Sequence, residues 1–185
     1  LSFYPILTKL TPTRPHIHQE AGYAHLYLFR NYQEKGDTVA AEEHFKKAEE
    51  FFKKTLDLQP KVIESYVNLI MLYLNGGKTE PISPLLARMD EQGLSFRTQL
   101  ILARLSNLAK GNQNYFWIAF FSQEMTKLNP DNIDAWIELA LAYAYMDDVA
   151  KAVSVAERIK QFGPPYDAEA KKFLENLKKG NFRTR

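Results

Sequence analysis

Apolar residues recur along this chain at helical spacing, in stretches separated by short polar turns. Trp136, Leu139, Ala140 and Tyr143 fall at i, i+3, i+4 and i+7, which is one face of a helix. Asp147-Asp148 breaks the pattern, and Ala152, Ala156 and Ile159 resume it on a second helix. The small residues at 140, 152 and 156 let two helices approach closely, so this stretch predicts an antiparallel pair joined by a short turn. Earlier stretches repeat the arrangement. Tyr66, Leu69, Ile70 and Tyr73 form one face, Asn75-Gly76-Gly77 turns, and Leu86 and Met89 face inward from the partner helix. Thr79 is expected to cap that partner, with Pro81 in its first turn. Leu102, Leu105 and Ala109 precede a turn at Gly111-Asn112, and Ile118, Met125 and Leu128 follow.

The first pair departs from this plan. His25, Leu28, Phe29 and Tyr32 make its first helix and Gly36-Asp37 turns. The second helix runs from Val39 to Leu58 with Ala48, Phe52 and Leu56 inward. It is about seven residues longer than its counterparts, nearly two turns, and its length of roughly 30 Å is expected to project beyond its neighbours. Glu42, Glu43, Lys46, Lys47, Glu49, Glu50, Lys53 and Lys54 decorate it at spacings that support an exposed helix face. A last amphipathic helix is expected over residues 167–179, capped by Asp167, with Ala170, Phe173, Leu174 and Leu177 inward and Gly180 as its stop.

Proline marks the ends of the units. Pro130 and Pro164 are 34 residues apart, and each closes a helical stretch. Pro60 stands 70 residues before Pro130, close to two such periods. Proline cannot continue a helix, so a fixed proline interval signals a repeated structural unit. The expected organisation is an N-terminal extended, apolar segment over 1–18, four repeats over 19–62, 63–98, 99–132 and 133–166, and a capping helix with a basic tail over 167–185.

Composition narrows the function classes. In 185 residues, 45% are hydrophobic and 25% charged, enough apolar material for a real core. The net charge of +2 offers no global nucleic-acid surface, so no nucleic acid is expected as a partner. Lys171, Lys172, Lys178, Lys179, Arg183 and Arg185 gather near the end against Glu175, which we take as a solvated helix end. The chain has no cysteine, which excludes disulfides, thiol catalysis and cysteine metal sites. No apolar run reaches the roughly twenty residues that span a bilayer. The sequence opens on Leu1, which leads us to expect an excised or processed chain, with any membrane contact made through residues outside it.

At this point the residues resemble the tetratricopeptide repeat (TPR) family. The stretch 133–166 matches its pattern at Trp136, Leu139, Ala140, Tyr143, Ala152 and Pro164, and departs from it at Ala156 and Ile159. The stretch 63–98 matches at Tyr66, Leu69 and Tyr73 but lacks the closing proline; 99–132 keeps Leu105 and Pro130. The first unit matches at Leu28, Tyr32, Ala48, Phe52 and Pro60 once the insertion is allowed. The resemblance implies an all-α solenoid of antiparallel helix pairs, a TPR-type stack whose first helices line a concave groove. A looser resemblance, carried by Arg14-Pro15 and the aromatic, Leu-rich helix after Gly22, is to the soluble C-terminal repeat regions of bacterial multi-span polysaccharide polymerases or O-antigen ligases. It implies, as an alternative, a soluble extracytoplasmic domain of a membrane protein of glycan assembly.

The family geometry assigns the groove. It implies Tyr23, Leu26 and Arg30 from the first unit; Val67, Met71 and Leu74 from the second; Leu100 and Asn107 from the third; and Ile137 and Leu141 from the fourth. Gln33, Glu64, Ala103, Lys110, Asp134 and Ala144 take the remaining positions. This mostly apolar lining suits a protein or peptide segment with apolar anchors, each contributing roughly 1.5–3 kcal/mol when buried. Some family members clamp a terminal carboxylate; Asn68 and Arg104 match two clamp positions, while Leu26 and Leu100 replace the clamp lysines. The apolar start, with Phe3, Tyr4, Ile6 and Leu7, is an equal candidate to fill the groove itself.

Reactive chemistry is not expected. His16 and His18 form a His-x-His that we assign to a surface linker rather than a metal site, and His25 and His44 are taken as structural. None of the nucleotide-binding, hydrolase or metalloprotease motifs occurs. The expectation is therefore a non-catalytic scaffold with no cofactor. The run 115–121, apolar on every side, is assigned to a central helix of the stack, with self-association through it as the alternative.

Overall fold

A computed structural model describes residues 4–182, with the side chains of Tyr4, Pro5 and Leu7 outside the description. The described residues are all-helical, with no strand among them, and within each of two units neighbouring helices pack in chain order. Two compact units divide the chain, one running through Phe96 and the other from Arg97 onward.

The first unit contains α1 (Tyr4–Leu10), α2 (Pro15–Glu34), α3 (Thr38–Leu58), α4 (Ile63–Gly76) and α5 (Ile82–Glu91). Asp37 starts α3 by accepting a hydrogen bond from the Ala40 amide at 3.0 Å. Gly77 ends α4 in the left-handed conformation, φ 67°, which a residue with a side chain adopts at a cost. The α2/α3 hairpin is the largest packing surface, and Phe29, Phe45, Ala48, Phe52 and Leu56 are buried in this unit's core. Tyr66, Leu69, Ile70 and Leu72 of α4 and Ile82 and Met89 of α5 are likewise sealed from solvent.

Four expectations need correction here. Of the segment expected to be extended over 1–18, the described residues 4–18 are not so: α1 occupies Tyr4–Leu10, and α2 begins at Pro15. Proline fits the first helical position because the amide it lacks would have no partner there. Ile6 and Leu10 are 56% and 72% exposed, so these two side chains fill no groove; Phe3 lies outside the described residues. Nor does α3 project alone. With 20 residues, α2 is nearly as long as the 21-residue α3, and His18 in its second turn packs against Phe51 with ring centroids 6.1 Å apart. Finally, Thr79 does not cap α5, whose cap position is Pro81; the Thr79 carbonyl accepts the Ile82 amide instead.

The second unit contains α6 (Gln99–Gly111), α7 (Tyr115–Leu128), α8 (Ile133–Tyr145), α9 (Val149–Lys160) and α10 (Tyr166–Lys178). Thr98, Asn114, Asn132 and Asp148 each cap the helix that follows by accepting its third amide. Gln113 and Asp147 take positive φ of 51° and 58° in the tight turns before α7 and α9. The run 115–121 is largely internal: Trp117, Ile118, Ala119 and Phe121 are buried, while Phe116 remains 58% exposed. α10 packs on α9, and Leu177 joins Ala144 and Ala152 in a cluster flanked by Tyr143, Phe173, Leu174 and Phe182. Contrary to the expectation from sequence, Asp167 is not its cap; Pro165 occupies that place, and Asp167 pairs with Lys171 at 2.8 Å in the first turn. Among the described residues no helix is long and apolar enough to cross a membrane.

Candidate binding groove

In the second unit, α6 and the start of α8 flank a cavity of about 500 Å³. Three positions of α6 spaced along one face, Ala103, Asn107 and Lys110, line one side. Asp134 and Glu138, one helical turn apart on α8, line the other, with Asp131 and Asn132 from the α7–α8 turn and Tyr166 at the edge. Asn107 and Asp134 are exposed.

Glu138 fixes the geometry. Its Oε2 accepts hydrogen bonds from Ser106 Oγ on α6 at 3.0 Å and Ser122 Oγ on α7 at 3.2 Å. Its Oε1 accepts from Lys110 Nζ at 2.5 Å. Ser106 and Ser122 are buried, so this carboxylate satisfies two hydroxyls that would otherwise stand unpaired in the core. One carboxylate thereby ties three helices and holds the Lys110 ammonium at the cavity wall. The two remaining carboxylates of the wall, Asp131 and Asp134, leave the lining with more acid than base.

Apolar subsites lie beside this polar trough. Leu141 faces two smaller cavities, one of about 190 Å³ with Ile118 and Tyr145, the other of about 80 Å³ with Ile137 and Phe173. Tyr115 stacks on Tyr145 with ring centroids 4.6 Å apart, giving the larger subsite a rigid rim.

The residues assigned to the groove from sequence are thus distributed unevenly. Asn107 lines the main cavity, Ile137 and Leu141 line the apolar subsites, and Leu100 and Arg104 are exposed on α6 outside all three. In the first unit, Leu26, Val67 and Leu74 are only 3–4% exposed, so they serve as core rather than as a contact surface. Asn68 is also buried, and its Oδ1 accepts the Tyr23 hydroxyl at 2.9 Å. A buried side chain spent on a neighbouring tyrosine does not stand ready to clamp a carboxylate. Met71 is half-buried and Arg30 exposed. Ala103, Lys110 and Asp134, also assigned to the groove from sequence, line the main cavity with Asn107, whereas Glu138 was missed. Its signal was present: counting from the repeat starts at 63, 99 and 133, Glu138 holds the same sixth place as Asn68 and Arg104.

The histidines differ from expectation as well. His18 is buried, with Nε2 3.0 Å from the Pro12 carbonyl, and not part of a surface linker. Among the described residues no group of three or more potential ligands could hold a metal ion.

The described residues are thus all-helical, with successive helices packed within each unit. No protein-family model matches it, and no curated protein does.

Proposed function

We propose that this chain is a non-catalytic binding scaffold of TPR type, and that the α6/α8 face of its second unit receives a protein or peptide segment. The observation that carries the reading is the trough itself: about 500 Å³, walled by side chains at one-turn spacing on two helices, with apolar subsites at Leu141 alongside. Such a surface pairs hydrogen-bonding groups with a few apolar anchor points, which is how grooves on helical scaffolds orient an extended or helical segment. The polar lining changes the expected ligand from one with apolar anchors alone to one that also presents polar or basic groups toward Asp131 and Asp134. An exposed ion pair contributes about 0.2–1 kcal/mol, so contacts to Asp131 and Asp134 orient the segment while the apolar subsites at Leu141 supply most of the affinity.

The test is selection of short peptides from a random display library against the whole chain, followed by affinity measurement on variants. Leu141→Glu, at a half-buried position, is expected to weaken selected peptides at least tenfold, and Asn107→Ala and Asp134→Ala, at exposed positions, by a few-fold, while Leu100→Glu, outside the trough, leaves them unchanged. Peptides that bind all four variants as they bind the parent chain would remove the groove from consideration.

A further inference from the structure

His25 on α2 and His44 on α3 meet nitrogen to nitrogen, Nδ1 to Nδ1 at 2.9 Å, inside the longest hairpin of the chain. Two imidazoles share a hydrogen bond at that contact only if one nitrogen carries hydrogen and the other offers its lone pair. The contact therefore constrains how many protons the pair can hold. A first proton enters at the free Nε2 of the donor ring; the N–H···N bond survives and becomes charge-assisted. A second proton has no place except the accepting Nδ1. It sets two N–H groups against each other at hydrogen-bond distance and brings two positive rings together.

Neither ring is free to turn away. Phe51 stacks on His25 with centroids 5.6 Å apart and planes inclined by 10°, and Tyr32 stacks on His44 at 5.4 Å and 16°. The two imidazoles are the middle of a four-ring column, itself part of the α2/α3 packing surface. His18 adds a third imidazole against Phe51, with centroids 6.1 Å apart.

We propose that His25 and His44 form a proton-sensitive latch, which holds α2 against α3 while at least one ring is neutral and releases the hairpin when both are cationic.

The surrounding charges favour release in acid. Burial lowers the His25 pKa most, the neighbouring His44 next and Lys47 after that, to about 4. Glu43 acts in the opposite direction, but its carboxylate is already paired with Lys47 at 2.5 Å. Of the other helices packed on α2, α1 brings Lys9, and α4 brings Glu64 in its first turn together with Tyr66 and Tyr73, whose hydroxyls are given to the Pro60 carbonyl and to Glu49. In an unfolded chain His25 titrates near 6.5. A histidine held below that value stabilises the fold fully above pH 6.5 and loses that contribution as pH falls toward 4. All four histidines of the chain lie between residues 16 and 44, so the second unit has none and provides an internal reference.

Hydrogen exchange on the whole chain between pH 7 and pH 4, corrected for intrinsic rates, tests the latch. Protection of α2 and α3 amides is expected to fall relative to that of α7–α9 by up to ~100-fold, the part of the pKa displacement that is realised between pH 7 and pH 4. The double variant His25→Phe/His44→Phe keeps the ring column without the protons, and the relative loss should vanish in it. Should that variant not fold, imidazole titration by NMR in the parent chain decides independently: His25 is expected to protonate near 4. Titration of both rings near 6.5, or loss of protection in α7–α9 as large as in α2 and α3, would overturn the proposal.

Discussion

Gly22 on α2 lies against the ring of Phe52 on α3 so closely that a Cβ added there would sit 2.5 Å from Phe52 Cε1. Phe52 is fully buried and cannot swing aside into solvent. Replacing glycine by alanine in mid-helix ordinarily gains about 1 kcal/mol, whereas forcing a methyl group into a filled core costs about 1–3 kcal/mol. The second effect wins at this contact. Gly22→Ala is expected to lower stability by about 1 kcal/mol, and Gly22→Val by more, read as a shift in the urea midpoint at constant slope. An unchanged or raised midpoint for the alanine variant would show that the hairpin is looser than drawn.

The same contact shows what the sequence could and could not disclose. Spacing of Leu, Tyr, Phe and Ala located the helix pairs, because burial on one face requires a period near 3.6. It failed at the start of α2, where the buried positions are His18, Ala21, Gly22 and His25. They fall at i, i+3, i+4 and i+7, yet two histidines and a glycine do not register as apolar. The groove was legible only in part for a different reason. Leu26, Val67 and Leu74 are leucine and valine on helix faces, and an apolar residue facing a groove looks the same in sequence as one facing the core. Glu138 was passed over as one carboxylate among many, since its importance rests on Ser106 and Ser122, which come from two other helices.

Tyr23 and Asn68 allow a test of the first unit's polar interior. The Tyr23 hydroxyl donates to Asn68 Oδ1, while the buried Asn68 Nδ2 has no hydrogen-bond partner. Tyr23→Phe leaves the amide wholly unpaired, at an expected cost of about 1–3 kcal/mol. Removing both polar groups in Tyr23→Phe/Asn68→Leu should recover most of that loss, because Leu keeps the branched heavy-atom skeleton of Asn and the desolvated amide disappears. A double variant as unstable as the sum of the single ones would contradict the pairing.

Glu138 should behave as a structural residue first. Glu138→Ala strands the buried Ser106 and Ser122 hydroxyls together, so its cost is expected to reach about 2–4 kcal/mol, at the large end for a single substitution. Glu138→Gln keeps the shape and one acceptor oxygen and should cost less. Adding Ser106→Ala and Ser122→Ala to the Glu138→Ala chain removes the unpaired hydroxyls and should restore part of the stability, as measured by urea unfolding. An alanine variant within 0.5 kcal/mol of the parent, the range usual for surface positions, would mean that the three-helix tie carries no weight.

Tyr73 makes the alkaline side of the stability profile specific. Its hydroxyl, buried on α4, donates to Glu49 Oε1 on α3 at 2.9 Å. Burial raises its pKa most, and the carboxylate at the end of the hydrogen bond raises it further, because a phenolate there would face a negative charge in a site with little water. A group whose folded pKa lies above its unfolded value binds more protons when folded, so stability is intact below pH 10 and declines as pH rises beyond it. Burial displaces Tyr66 in the same direction, so some decline remains when Tyr73 is removed. Tyr73→Phe is therefore expected to cost about 1 kcal/mol at pH 7, from the lost hydrogen bond, and to flatten the fall between pH 10 and 11. Glu49 retains Lys53 at 2.7 Å, so the carboxylate is not left alone in the variant. The measurement is urea unfolding of both chains at pH 8, 10 and 11. Parallel declines in the two would place Tyr73 in water and break the link between α3 and α4 that its hydroxyl makes.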